Sequence, residues 1–124
     1  GLLDGTEEEN TIFGENGGLY WRIDRVKCEL TISCIGEMPS LNIGHFKNYV
    51  HSAVIKDGAT SIGHSVFSGC GAMDRVTIPN SVISIGEYAF RNSGLISVTL
   101  PSNMTFIAPY VFSGCKSTGF LLSA

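Results

Sequence analysis

No cluster of lysine and arginine exists anywhere in the chain: eight basic residues lie scattered among eleven acidic ones, for a net charge of −3. A protein that grips a phosphate backbone carries a basic stripe, so nucleic acid is excluded as a partner. No apolar run approaches the roughly 20 residues a membrane helix needs, and no membrane span is expected in this chain. The sequence also lacks a Gly-x-Ser-x-Gly frame. His64 stands near Ser61, Ser65 and Asp57, but nothing holds them as a hydrolytic triad, so the chain reads as no enzyme and as needing no cofactor. Charge of either sign is sparse, at 15% of residues against 44% apolar, which is the balance of a folded domain and not of a disordered one. The chain opens on Gly1 and not on Met, so the lack of a signal peptide says nothing about compartment.

Cysteines number four, and their spacing fits neither bridges nor a metal site. Cys70 and Cys115 hold one repeat position two coils apart, which places their Cα atoms roughly 10 Å from each other if coils stack at the strand spacing. A disulfide needs less than about 7 Å. Cys28 and Cys34 lie six residues apart on one expected strand, too far to pair. With His45 and His51 they brush against a zinc-finger spacing, but structural zinc takes cysteines two to four residues apart on a turn. Four free thiols and no metal are expected, with a cross-pair such as Cys34 to Cys70 as the alternative. The run Glu7 to Glu9 has no organising glycine loop for calcium and reads as a solvated tail.

What the chain does contain is repetition. Ala53-Val54-Ile55 leads to Ile62-Gly63 and Val66-Phe67-Ser68-Gly69-Cys70; Val76-Thr77-Ile78-Pro79 leads to Ile85-Gly86 and Ala89-Phe90; Val98-Thr99-Leu100-Pro101 leads to Ile107-Ala108 and Val111-Phe112-Ser113-Gly114-Cys115. The step is 23 residues from Ile62 to Ile85 and 22 from Ile85 to Ile107, and the three phenylalanines keep it. Such a period signals a solenoid whose units bury apolar faces by stacking on one another. Six columns stay apolar in every copy and are expected inside: Ala53/Val76/Val98, Ile55/Ile78/Leu100, Ala59/Val82/Met104, Ile62/Ile85/Ile107, Val66/Ala89/Val111 and Phe67/Phe90/Phe112. The β-branched runs predict one parallel strand per coil. Ser84-Ile85-Gly86 suggests a second, shorter strand, and Tyr88-Ala89-Phe90 a tight helical or 3-10 turn. Gly63 and Gly86 mark the bend between them, where Ala108 in the third copy implies tolerance of a Cβ.

Upstream the pattern is antiparallel. Leu19, Trp21 and Ile23 alternate with Tyr20, Arg22 and Asp24, and Cys28, Leu30, Ile32 and Cys34 alternate with Glu29, Thr31 and Ser33, which predicts a hairpin. Phe46, Tyr49 and Val50 would line one side of a short helical turn. The expected organisation is a flexible acidic leader over 1–12, a hairpin cap and connector over 13–52, and repeats over 53–75, 76–97 and 98–119 with a partial one at 120–124. Phe120 and Leu122 would supply a fourth strand, and Ser117 makes that last coil poorer in core residues, as a cap is.

The segment Thr77-Ile78-Pro79-Asn80-Ser81-Val82 followed by Ser84-Ile85-Gly86-Glu87-Tyr88-Ala89-Phe90, with the closing Phe-Ser-Gly-Cys at 67–70 and 112–115, resembles the BspA-type leucine-rich repeat of bacterial and some protozoan surface proteins. Trp21 to Asp24, Glu29 to Ser33 and Gly36 to Pro39 resemble the β-rich segment that precedes such repeats, with Cys28 and Cys34 standing where glycine is expected. The resemblance implies a mainly-β, right-handed solenoid of three to four coils behind an antiparallel hairpin cap. It also implies a secreted or cell-surface, non-catalytic module for recognition or adhesion whose partner is a host or bacterial surface protein or glycan. The binding residues expected on the outer sheet face are Ser52, Val54, Arg75, Thr77, Ser97 and Thr99, joined by Tyr20 from the hairpin. Four short strands offer only about 200 Å², against about 800 Å² per partner in a standard interface. A structural spacer that self-associates weakly through its terminal coil is the alternative. Asn103-Met104-Thr105 forms a glycosylation sequon.

Overall fold

Leu30 pairs with Ala53, and Ala53 with Val76, each 23 residues further along the chain and each in parallel register. The computed structural model describes residues 10–115. Within them one sheet has the order β1-β2-β3-β5-β7, from Thr11–Asn16, Leu19–Asp24, Glu29–Ser33, Ser52–Ile55 and Arg75–Thr77. A second, wholly parallel sheet runs β4-β6-β8-β9, from Gly36–Glu37, Ala59–Ile62, Ser84–Ile85 and Phe106–Ile107. The chain is therefore a β-solenoid, and alternation within each strand turns one face of each sheet to a shared core.

The apolar columns explain why. Ile62 faces Ile85, and Ile85 faces Ile107, across the second sheet. Phe67 and Phe90 lie 5.2 Å apart between ring centroids and Phe90 and Phe112 5.8 Å apart, both pairs within 6° of parallel. The turn that carries these rings is knitted between coils by backbone bonds: Phe67 N–H donates to the Ala89 carbonyl and Phe90 N–H to that of Val111. Exposure rises toward the last described coil, from 1% at Ile62 and 0% at Ile85 to 39% at Ile107. Ile78, Met104 and Phe112 are likewise only partly buried.

Four features of the strands and bends differ from the sequence expectation. The expected hairpin is present as β2 and β3, but Thr11 and Ile12, assigned to the leader, already belong to β1, which adds a third antiparallel strand. Strand β3 is also the first parallel strand of the spiral, so stacking begins at Leu30 and not at Ala53. Val98-Thr99-Leu100 forms no ladder with β7, although Val98 and Leu100 are buried as expected. The corner before it is one residue shorter, Ser93-Gly94-Leu95 against Cys70-Gly71-Ala72-Met73, and the bond from Asp74 N–H to the His51 carbonyl has no counterpart at Ile96. Finally, a Cβ at Gly63 would sit 2.9 Å from the Met38 carbonyl oxygen and one at Gly86 2.8 Å from the His64 nitrogen, so these two bends are closed to alanine despite Ala108.

The short helical element is a 3-10 turn over Gly44–Asn48. Val50 is fully buried and Phe46 partly so, whereas Tyr49 points out at 58% exposure. Glu7 to Glu9, Ser117, Phe120 and Leu122 lie outside the described residues.

Candidate binding face

Cross-strand register places the outward residues of the first sheet in three transverse rows. The middle row runs Phe13, Arg22, Thr31, Val54, Thr77; on one side lie Glu15, Tyr20 and Ser33, and on the other Asp24, Glu29, Ser52 and Arg75. Tyr20 thus shares a face with Val54 and Thr77. The guanidinium of Arg22 sits 5.8 Å from the Phe13 ring centroid, a cation–π contact. Phe13 is 62% and Tyr20 60% exposed. Between them Tyr20, Arg22, Thr31 and Ser33 edge a shallow seat of about 120 Å³.

The inner side of the same strands fixes this arrangement. Leu19 and Ile23 are buried, and the indole of Trp21 lies over the backbone of Gly14 on the neighbouring strand, where a Cβ would overlap the ring. A one-residue slip would turn Tyr20 and Arg22 inward. At the hairpin end, Asp24 accepts the Val26 and Lys27 N–H groups at 3.0 Å each, tightening the turn.

Of the expected contact residues, Arg75, Thr77 and Tyr20 are exposed on this face, and Val54 is half-buried at its centre. Ser52 is a correction: it is 5% exposed, and its hydroxyl donates to the Glu29 carboxylate at 3.5 Å, which closes it to a ligand. Ser97 and Thr99 are exposed but lie outside the hydrogen-bonded sheet. Phe13, Arg22 and Thr31 were not singled out in the sequence. The alternation of Tyr20, Arg22 and Asp24 already placed Arg22, whereas the adjoining acidic run hid the strand that carries Phe13.

A second outward row, His64, Tyr88 and Tyr110, follows the turns. Tyr88 and Tyr110 stack at 5.5 Å, and His64 meets Tyr88 edge to face at 5.8 Å. Ser65, Tyr88 and Tyr110 hold φ of 58°, 62° and 63°, left-handed values that cost a bulky residue energy. Because each tyrosine face covers the other, this row serves better as a clamp between coils than as a platform.

All four cysteines are free, Cys34 and Cys70 buried and Cys28 and Cys115 half-buried. The Cys115 thiol donates to the Phe90 carbonyl at 3.1 Å. Cys28 has φ of 55°, in keeping with a position that suits glycine, while Cys34 does not share that conformation. Among the described residues no three His, Cys, Asp or Glu side chains gather as a metal site. Among the same residues no helix is long and apolar enough to cross a membrane. The Ser61 hydroxyl accepts the Met38 N–H, and Asn103 donates to the Asn80 carbonyl.

The sequence model for the BspA-type leucine-rich repeat region matches residues 42–121, well over half of the chain. The chain belongs to the BspA-type leucine-rich repeat family. Among solved structures, a leucine-rich repeat protein from Eubacterium ventriosum is similar with a TM-score of 0.71 at 23% identity, over 89% of this chain and 37% of that one. A leucine-rich cell surface protein from Faecalibacterium prausnitzii is similar at 22% identity with a TM-score of 0.43, over 90% of this chain and 42% of that one. This chain thus spans well under half the length of either protein. No curated protein matches it.

Proposed function

We propose that this BspA-type module is a non-catalytic extracellular recognition domain that binds a glycan on the outer face of its five-stranded sheet. The observation that carries this reading is the pair of exposed rings, Phe13 and Tyr20, flanking Arg22 and the hydroxyls of Thr31 and Ser33. An aromatic face accepts the apolar face of a sugar, and a guanidinium with neighbouring hydroxyls satisfies its oxygens. Size favours the same class. Adding β1 and β2 to the parallel strands raises the flat area to on the order of 400 Å², still half of what a standard protein partner covers. The extracellular location is the one that the family resemblance implies.

Glycan-array binding tests the reading, with Tyr20→Ser and Arg22→Glu as paired variants on a solvent-facing surface. The expected result is a defined set of glycans bound by the native chain and lost in both variants, with unchanged thermal stability. Binding that survives both substitutions removes the face from consideration.

A self-associating spacer is the second reading, favoured by the exposure of Phe106, Ile107 and Tyr110 on the last described coil, at 59%, 39% and 62%. Light scattering separates the two: concentration-dependent dimers weakened by Phe106→Ser support the spacer.

A further inference from the structure

On the opposite side of the meander from the proposed glycan face, the core opens into a pocket of about 480 Å³. Its floor and walls are apolar: Ile12 and Ile23 from β1 and β2, and Phe46 and Val50 from the 3-10 turn and its exit. Val50 and Ile23 are buried, so the floor is part of the core and cannot be filled by its own collapse without moving strands. At the mouth stand His45 and Tyr49, whose rings lie 6.0 Å apart edge to face, with Phe46 stacked against His45 at 4.5 Å. The volume and lining are those of a small-molecule site, in which a few polar groups orient an apolar ligand.

Among the described residues that line the pocket, Arg25 carries a positive charge and none is acidic. The adjacent Asp24 is engaged with the Val26 and Lys27 N–H groups. The Arg25 backbone is pinned by its N–H bond to the Asn10 carbonyl at 2.7 Å. A guanidinium at the rim of an apolar cavity is complementary to a carboxylate. We propose that this pocket binds a small apolar carboxylate, its aromatic or branched hydrocarbon part between Ile12, Ile23, Phe46 and Val50 and its anionic end at Arg25. The inference stands independently of glycan binding.

Cys28 lines the same pocket, half-buried, with its thiol directed to the Arg25 carbonyl at 3.8 Å, and so reports on occupancy. The test measures alkylation of Cys28 by iodoacetamide in the full chain, by peptide mass spectrometry, with 3-phenylpropionate as probe and 3-phenylpropan-1-ol as its neutral counterpart. Saturation-transfer NMR on the same probes gives a readout that does not depend on the thiol. Expected are saturable slowing of Cys28 alkylation by the acid, and affinity about tenfold weaker for the alcohol and for Arg25→Gln, the loss of one charge-assisted contact. Equal affinity for acid and alcohol, an unchanged affinity in Arg25→Gln, or no saturation transfer to the acid would overturn the proposal. So would a Cys28 that resists alkylation without any probe and becomes reactive in the Leu2→Ser, Leu3→Ser double variant, since the chain's own residues 1–9 would then be the occupant.

Discussion

The ring of Phe90 lies between those of Phe67 and Phe112, nearly parallel to both, at 5.2 and 5.8 Å. Phe90 is fully buried, so its removal leaves a cavity bounded by two rings that are tied to their own coils. Phe90→Ala is expected to cost about 3–5 kcal/mol, the usual range for a buried phenylalanine. Phe112→Ala, at a half-buried position, is expected to cost distinctly less. Urea denaturation midpoints check the order, and equal losses at the two positions would show that the stack is not graded in this way.

Glycines divide by what their missing side chains would meet. A Cβ at Gly94 would lie 2.5 Å from the Gly71 carbonyl oxygen and one at Gly86 2.8 Å from the His64 nitrogen, backbone atoms of the preceding coil, whereas nothing lies within 4 Å at Gly71. Gly86→Ala and Gly94→Ala are therefore expected to destabilise by about 1–3 kcal/mol through overpacking. Gly71→Ala, free of steric conflict and of positive φ, is expected to be neutral or to gain about 0.4–1 kcal/mol. Thermal melts of the three variants decide.

Trp21 is the sole tryptophan, and its indole covers Gly14. Gly14→Ala forces that ring outward. The expected signature is a red-shifted emission maximum in the folded variant, reporting a wetter indole. An unchanged spectrum would mean that the two strands part at Gly14 instead.

Burial pushes the Cys70 thiol up to about 11 from an ordinary 9.0, with Lys47 acting weakly in the other direction. Burial raises Cys34 as well. A thiol whose ionisation is held back in the folded state leaves stability intact below its ordinary value. It then subtracts stability as pH climbs from about 9 toward 11, because the unfolded chain ionises first. Unfolding midpoints measured across that window are expected to fall, and to fall less in Cys70→Ala. At pH 8, Cys28 and Cys115 are expected to react with a thiol reagent well before Cys34 and Cys70.

The repeats were legible because stacking writes itself into the sequence: a position that must face its own copy in the next coil carries the same residue type, as Ile62 and Ile85 do. That signal fades where a column mixes sizes. Leu30 and Ile32 stand 23 residues before Ala53 and Ile55 and form the first rung, but their alternation with Glu29 and Thr31 reads equally well as an ordinary hairpin strand. Val50, Met73 and Leu95 share one buried position behind three different side chains.

On the candidate face the outward column behaved differently. Nothing in a sequence distinguishes an exposed outward serine from one closed over by a neighbour, and Ser52 is closed because Glu29 reaches it from the adjacent strand. The same adjacency, invisible until β3 is seen to pair with β2 on one side and β5 on the other, brings Tyr20 and Arg22 onto the face with Thr77. The missing ladder at Val98 to Leu100 was hidden in a single-residue change of step.

The claim on which the rest depends is that the antiparallel meander and the parallel coils form one cooperative structure joined through β3. Native-state amide hydrogen exchange measures this directly, residue by residue. The account predicts that Ile23 and Leu30 in the meander and Ala53, Phe67 and Val76 in the coils exchange with one common opening free energy. Meander amides that open with a distinctly lower free energy than those of Ala53 to Val76 would contradict it.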